Sequence, residues 1–183
     1  FPTRRSSDLK IFVQMGIPGC ATCHSNHEIA ETSDAMLSAG DKSACVTCHP
    51  PSSSGATLAA SMFSSIDRLK NGYEKAQLVL KNAEHAGMEV SQPLFELSEA
   101  KTALIKARAA IHGFDQALLD KEVEPGLKVI EKAHARGVKA LDELQFRRKG
   151  LAVSALIIFV LVIGLVVKIR QMEKTSQESR KET

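Results

Sequence analysis

The stretch CATCHSNHEIAETSDAMLSAGDKSACVTCH, residues 20–49, decides how the amino-terminal part of the chain folds. It begins and ends with the same pattern, Cys-x-x-Cys-His, at residues 20–24 and 45–49. All four cysteines of the chain lie in these two motifs. Apolar side chains are few in residues 1–56, so bound groups must supply much of the buried surface there.

Each motif has the spacing of a covalent attachment site for c-type haem. Two thiols two residues apart can each form a thioether to one vinyl group of the same porphyrin. The histidine that follows, His24 or His49, is then held beneath the iron as its proximal ligand. We therefore expect two haems and the transfer of electrons, with these attachment residues: Cys20, Cys23, Cys45 and Cys48.

A structural zinc site is the strongest alternative use of the four thiols. Their spacing, Cys-x2-Cys-x21-Cys-x2-Cys, is close to that of a four-thiolate site. Such a site has no use for a histidine directly after each second cysteine, and haem is therefore favoured. Two disulfides, or a redox-active Cys-x-x-Cys pair, remain alternatives in an oxidising compartment.

Four of the six histidines remain as candidate distal ligands of the iron: His27, His85, His112 and His134. His27, three residues after the first motif, is expected to ligate a neighbouring haem. His112 is expected where a helical hairpin returns to the haems. His85, at the opposite end of that hairpin, and His134, expected to pack inside the bundle, are weaker candidates. Two methionines are alternatives that would raise the potential: Met15 and Met36.

Beyond a proline- and serine-rich linker at residues 50–55, apolar residues recur every three or four positions, which predicts helices. The first helix is expected from residue 57 to Gly87, with one apolar stripe: Leu58, Met62, Ile66, Leu69, Tyr73, Ala76, Leu80 and Ala83. Ser91 is expected to cap the second helix, which has Pro93 in its first turn and ends at Gly113.

The second helix carries a heptad seam: Leu97, Leu104 and Ile111, with Ala100, Ala107 and Phe114. Asp115 is expected to cap a third helix, kinked or restarted at Pro125. The apolar stripe of that helix comprises Leu127, Ile130, His134, Gly137, Leu141 and Leu144. Three such helices predict an antiparallel bundle or a dimerising coiled coil, and the sequence does not separate the two.

Residues 151–167, LAVSALIIFVLVIGLVV, form an uninterrupted apolar run. At ~1.5 Å per residue the run spans ~26 Å, slightly short of a ~30 Å hydrocarbon layer, and flanking basic side chains can close the gap. This predicts one transmembrane helix. Both flanks are basic, so charge does not decide its orientation. The resemblance of the two motifs to those of c-type cytochromes implies haem attachment after export, which would place the preceding residues outside and the polar tail inside.

The amino terminus, FPTRRSSDL, is neither a signal peptide nor a periodic segment. It resembles a translated sequencing adapter, so we expect a foreign leader and a gene truncated upstream, where a secretion signal and further haem motifs would lie. The expected organisation is a non-native leader at 1–9, a dihaem segment at 10–51, a helical bundle at 57–148, a transmembrane helix at 150–168 and a polar tail at 169–183.

Together with His27 and the apolar carboxy-terminal run, the two motifs resemble the multihaem c-type cytochromes of class III or doubled Cys-x-x-Cys-His type. The motifs that carry this resemblance cover residues 20–49. The expected fold is mainly α: a loop-rich dihaem segment, a helical hairpin or three-helix bundle, and one carboxy-terminal transmembrane helix. The resemblance implies an electron carrier on the bacterial inner membrane, facing the periplasm, with respiratory redox proteins as partners.

The alternative function is the carboxy-terminal part of a multihaem oxidoreductase acting on nitrite or hydroxylamine, with its catalytic haem upstream. A carrier is favoured over a catalyst because neither motif shows an open axial site. The net charge of +3 is small and spread along the chain, so no nucleic-acid partner is expected. A homo-oligomer formed through the helical bundle is a further expectation.

Overall fold

The computed structural model describes Gly16 and residues 19–25, 27–29 and 31–179, with side chains up to residue 174. Within these ranges all regular structure is helical, which confirms the predicted mainly α fold. The elements in chain order are α1 (Cys20–His24), a 3₁₀ turn (Asp34–Leu37), α2 (Ser54–His85), α3 (Ser91–Ala110), a second 3₁₀ turn (Ile111–Gly113) and α4 (Gln116–Ser179).

Helix α2 begins inside the predicted linker, three residues before the expected start, because Ser53 caps it. The Ser53 hydroxyl accepts a hydrogen bond from the Ala56 N–H at 3.2 Å. Gly87, with φ of 82°, ends the helix as predicted. The Met88 N–H donates to the Ala83 carbonyl, which is the bonding pattern of a glycine-terminated helix. The predicted stripe is buried or half-buried along its whole length.

Helix α3 confirms its predicted apolar seam but not its predicted cap. Val90 is the capping residue, and Ser91 is already helical. The Ser91 hydroxyl instead donates to the Glu89 carboxylate, and this bond lowers the pKa of Glu89. Pro93 lies buried in the first turn, where its missing N–H costs nothing. The seam residues inside the helix are buried, namely Leu97, Ala100, Leu104 and Ala107, whereas Ile111 and Phe114 lie beyond the helix and are half-buried and half-exposed, respectively.

Helix α4 begins after Asp115, whose carboxylate accepts the Ala117 N–H at 2.8 Å, so the predicted cap is confirmed. Pro125 lies inside the helix, which continues without the expected restart. The prediction that His134 packs in the bundle was wrong, because its side chain is exposed. The buried stripe steps from Ile130 to Ala133, and the next position is turned ~100° away on a 3.6-residue helix.

The three long helices pack on one another within a single chain, as an antiparallel bundle does. A methyl group on Gly126 would lie 2.8 Å from the Ala103 Cβ and 2.8 Å from the Leu69 Cδ1, so α4 touches both partners there. Gly72 faces Ile130, and these two positions place α2 and α4 side by side, running in the same direction. Small side chains therefore permit the close approach of all three helices.

Glu96 joins α3 to α4 by charge. Its carboxylate accepts hydrogen bonds from Arg136 at 2.9 Å and Gln92 at 3.2 Å, and Lys132 lies 3.2 Å away. The hydrogen bonds from Gln92, Arg136 and Lys132 lower the pKa of Glu96 from 4.5 to about 2. The charged form of Glu96 therefore stabilises the packing of α3 on α4.

The bundle has two distinct ends. We call the end where α2 begins, α3 finishes and α4 begins the motif end, because the two Cys-x-x-Cys-His motifs precede α2 there. The turn between α2 and α3 forms the opposite, far end. Helix α4 continues past the far end into the apolar run, which is exposed along its length. Among the described residues this helix is long and apolar enough to cross a membrane.

Candidate haem-binding site

The first motif forms α1, and the second forms a turn just before α2. In the second motif the His49 N–H donates to the Cys45 carbonyl at 2.9 Å. Ser43, the buried residue before this turn, accepts the Val46 N–H at 3.3 Å. The Ala44 N–H donates to the Met36 carbonyl at 2.9 Å. Backbone bonds thus hold the start of the second motif against the first 3₁₀ turn.

All four thiols are free. Burial raises the pKa of the Cys45 thiol, and the nearby Cys23 thiol raises it further. The Cys23 thiol is therefore close enough to the Cys45 thiol to affect its ionisation. Among the residues that the structure describes, no three His, Cys, Asp or Glu side chains converge as metal ligands do.

His24 of the first motif lies next to His112 of the second 3₁₀ turn. Their ring centroids are 6.2 Å apart and their planes are inclined by 29°. Two metal–nitrogen bonds of ~2 Å, with ~1 Å more from each nitrogen to its ring centre, give a separation of ~6 Å. The distance between these rings therefore fits one iron atom held between them.

A hydrogen bond determines which nitrogen of His112 is available. The Nδ1 atom lies 3.1 Å from the Ala109 carbonyl oxygen. A carbonyl only accepts, so Nδ1 carries the proton and donates. Nε2 is then the nitrogen left to bind a metal, and a backbone carbonyl on the other nitrogen is the usual support of a metal-ligating histidine.

An ion pair holds the motif segment against the bundle beside this histidine. Arg108 donates from Nε to Oδ1 of Asp34 at 2.8 Å and from its terminal nitrogen to Oδ2 at 2.7 Å. The bond to Asp34 raises the pKa of Arg108. Such a two-pronged contact fixes direction as well as distance. It joins the first 3₁₀ turn to the last turn of α3, one helical turn before His112.

Comparison with known families gives a match for this part of the chain. Residues 13–54 match the family of the doubled CXXCH motif. The match supports a multihaem c-type cytochrome and implies covalently bound c-type haem. No curated protein and no solved structure matches the chain.

In the doubled CXXCH segment the second histidine has a different setting from the first. His49 rests on the first turn of α2, directly over Gly55. A methyl group on Gly55 would stand 2.5 Å from Nδ1 and 2.7 Å from Cε1 of His49. Only a residue without a side chain leaves room for this ring. Gly55 was expected to lie in the linker, and no local sequence pattern indicates its contact with His49.

Two of the other candidate ligands, His85 and His134, lie far along the helices from the paired rings. His85 is the last residue of α2, ~46 Å along the helix from its start. His134 lies ~27 Å along α4 from the motif end. His27 is exposed beyond α1, and Met36 is half-buried in the first 3₁₀ turn. Met15 lies outside the described residues.

Proposed function

We propose that the chain is an electron carrier in which the thiols of the doubled CXXCH segment attach two haems covalently. Cys20 and Cys23 would hold one group and the second motif the other, with His24 and His49 as proximal ligands. The observation that carries the proposal is the adjacency of two complete motifs at one end of the bundle. Iron in such a group takes up and releases single electrons.

The protein contributes placement and ligation. Both motifs lie at the motif end, the first beside His112 and the second directly before α2, which supports a short path between the two attached groups. The Arg108–Asp34 ion pair joins the segment between the motifs to α3. Fixed spacing supports electron exchange because little rearrangement accompanies each transfer.

We further propose that the apolar end of α4 anchors the chain in a bacterial inner membrane, with the motif end facing the periplasm. Between Gln116 and Leu151 the helix rises ~52 Å at ~1.5 Å per residue. The attached groups would then stand ~50 Å from the membrane surface if the helix is upright. This height favours exchange with respiratory redox proteins that are soluble or project from the membrane.

The first experiment expresses the full chain, behind a secretion signal, in a bacterium able to attach haem. We expect intact-mass analysis to show two added haem groups, and membrane fractions to hold the protein after a carbonate wash. Replacing Cys20 and Cys23 together by Ser should remove one group, and replacing Cys45 and Cys48 should remove the other. Protein without any covalent haem would overturn the proposed function.

The second experiment separates a carrier from a catalyst. A carrier should show low-spin spectra for every haem, reduce and reoxidise reversibly, and bind no carbon monoxide. It should also leave nitrite and hydroxylamine unchanged when an electron donor is supplied. A high-spin, ligand-binding haem that supports turnover of either compound would instead favour the oxidoreductase.

A further inference from the structure

We infer that His112, from the corner between α3 and α4, is the distal ligand of the iron whose proximal ligand is His24. This inference rests on the proposed function, since it concerns the group attached at Cys20 and Cys23. It assigns a ligand that lies outside the doubled CXXCH segment. The helical bundle would then be part of the haem site as well as its support.

The ring separation is the first argument. At 6.2 Å between centroids, the rings of His24 and His112 form a loose stacked pair, and this separation also leaves room for one metal atom bound by a nitrogen of each ring. A ligating nitrogen on each ring would bring both within ~2 Å of that atom. The 29° angle between the ring planes is compatible with ligation, because each ring could rotate about its bond to a shared iron.

The second argument is the proton position on His112. Its Nδ1–H donates to the Ala109 carbonyl, one turn earlier, at 3.1 Å. This bond occupies Nδ1, leaves Nε2 as the nitrogen that can bind iron and holds the ring in one orientation, as the outer hydrogen bonds of metal-ligating histidines do.

The third argument is the shape of the corner. The 3₁₀ turn that carries His112 ends at Phe114, which adopts left-handed backbone angles with φ of 50°. A bulky side chain is uncommon in this region of backbone space, and such strain persists only where the surroundings enforce it. The abrupt turn presents His112 at the tip of the bundle, beyond the end of α3.

The fourth argument is that the motif segment is docked beside His112 by other contacts. Arg108 and Asp34 form their paired hydrogen bonds between the two parts of the chain. The first 3₁₀ turn also packs against α2. Because these contacts do not involve either histidine, they bring the rings together independently of any ligand.

The test compares His112→Ala with His85→Ala in the full-length, haem-loaded protein. Both histidines are exposed and both lie at the carboxyl end of a helix, so His85 is the matched control. We expect His112→Ala to convert one of the two haems from low spin to high spin and to let it bind carbon monoxide. Added imidazole should restore the low-spin spectrum. His85→Ala should leave both haems low-spin.

A low-spin spectrum for both haems in His112→Ala, with no carbon monoxide binding, would overturn the inference. If that variant does not accumulate, His112→Met decides instead. A methionine ligand should keep the iron low-spin and raise the potential of one haem, and two unchanged potentials would count against the assignment. Failure of the proposed function looks different, since the wild-type chain would then carry no covalent haem at all.

Discussion

Replacing Gly55 by Ala tests whether His49 is held in place by an attached haem. The added methyl carbon would lie 2.5 Å from Nδ1 of His49, against an ordinary contact distance of ~3.5 Å. The overlap of ~1 Å must be relieved by moving the ring or the backbone of α2. Which of the two moves depends on whether the ring is free.

The expected magnitude differs between the haem-free and haem-loaded forms. A free His49 ring can turn into solvent, and Ala then stabilises the helix by up to ~1 kcal/mol over Gly. A ring fixed beneath an iron cannot turn, so the overlap costs ~1–3 kcal/mol, as overpacking generally does. That cost corresponds to ~5- to ~150-fold in the equilibrium between ligated and unligated histidine.

The assay is a double-mutant cycle on the free energy of unfolding. Gly55→Ala is measured in the loaded chain and in a chain whose second motif is disabled by Cys45→Ser and Cys48→Ser. A coupling of ~1–3 kcal/mol between the two changes is expected. Gly40→Ala is the matched control in the same segment, since its methyl group would meet nothing nearer than a hydroxyl at 3.7 Å.

Additive effects of Gly55→Ala and of the disabled second motif would refute this prediction. If the effects of Gly55→Ala in the two backgrounds agree within ~0.5 kcal/mol, the ring of His49 is not held over Gly55 in the loaded protein. An unchanged spectrum and potential of the second haem in the same variant would support that conclusion. The contact would then belong only to the haem-free chain.

Three further predictions concern the bundle and its anchor. Gly126→Ala should lower the free energy of unfolding, measured by urea titration, by ~1–2 kcal/mol, because its methyl group would lie 2.8 Å from side chains of α2 and α3. Gly150→Ala is the control: its methyl group would point into open space, so it should not lower the free energy of unfolding. The pKa of Glu96 is lowered to about 2, so its contribution to stability is complete above pH ~4.5 and is lost as pH falls through 2. Glu96→Gln should therefore weaken the fall in the free energy of unfolding, followed by circular dichroism, between pH ~4.5 and pH ~2. An unchanged dependence on pH in this range would contradict the ion-pair assignment. In lipid nanodiscs, a fluorophore at Phe146, which is 77% exposed, should be quenched by spin-labelled lipid. A fluorophore at Phe114, which is 50% exposed and lies ~50 Å farther from the membrane, should not be quenched. Equal quenching at both positions would exclude an upright helix.

Several features were open to prediction because they are local. The doubled motif indicates covalent haem attachment, since two thiols and a histidine at fixed spacing match one porphyrin. The stripe on α2 follows from the 3.6-residue period, and Gly87 ends that helix because a positive φ suits glycine. His112 was placed near the motifs by helix lengths alone, and the structure brings its ring to 6.2 Å from that of His24.

Other predictions were wrong because alternative local arrangements have similar energies. Ser91 was expected to cap α3, but its hydroxyl finds the Glu89 carboxylate and Val90 takes the capping position. A helical stripe can continue from Ile130 either three or four residues later, and His134 was assigned to it as the residue four positions later. Packing against the other helices selected Ala133 instead.

The order of residues along the chain was sufficient for the attachment motifs, the helices and the apolar run, because each depends on neighbours within a few turns. Tertiary structure alone decided the contacts at the motif end. Arg108 and Asp34 are 74 residues apart, and no short-range pattern marks them as partners. The same holds for the two rings that face each other and for the glycine beneath His49. These contacts form only when the packed bundle brings distant segments together, since their energies depend on distance in space.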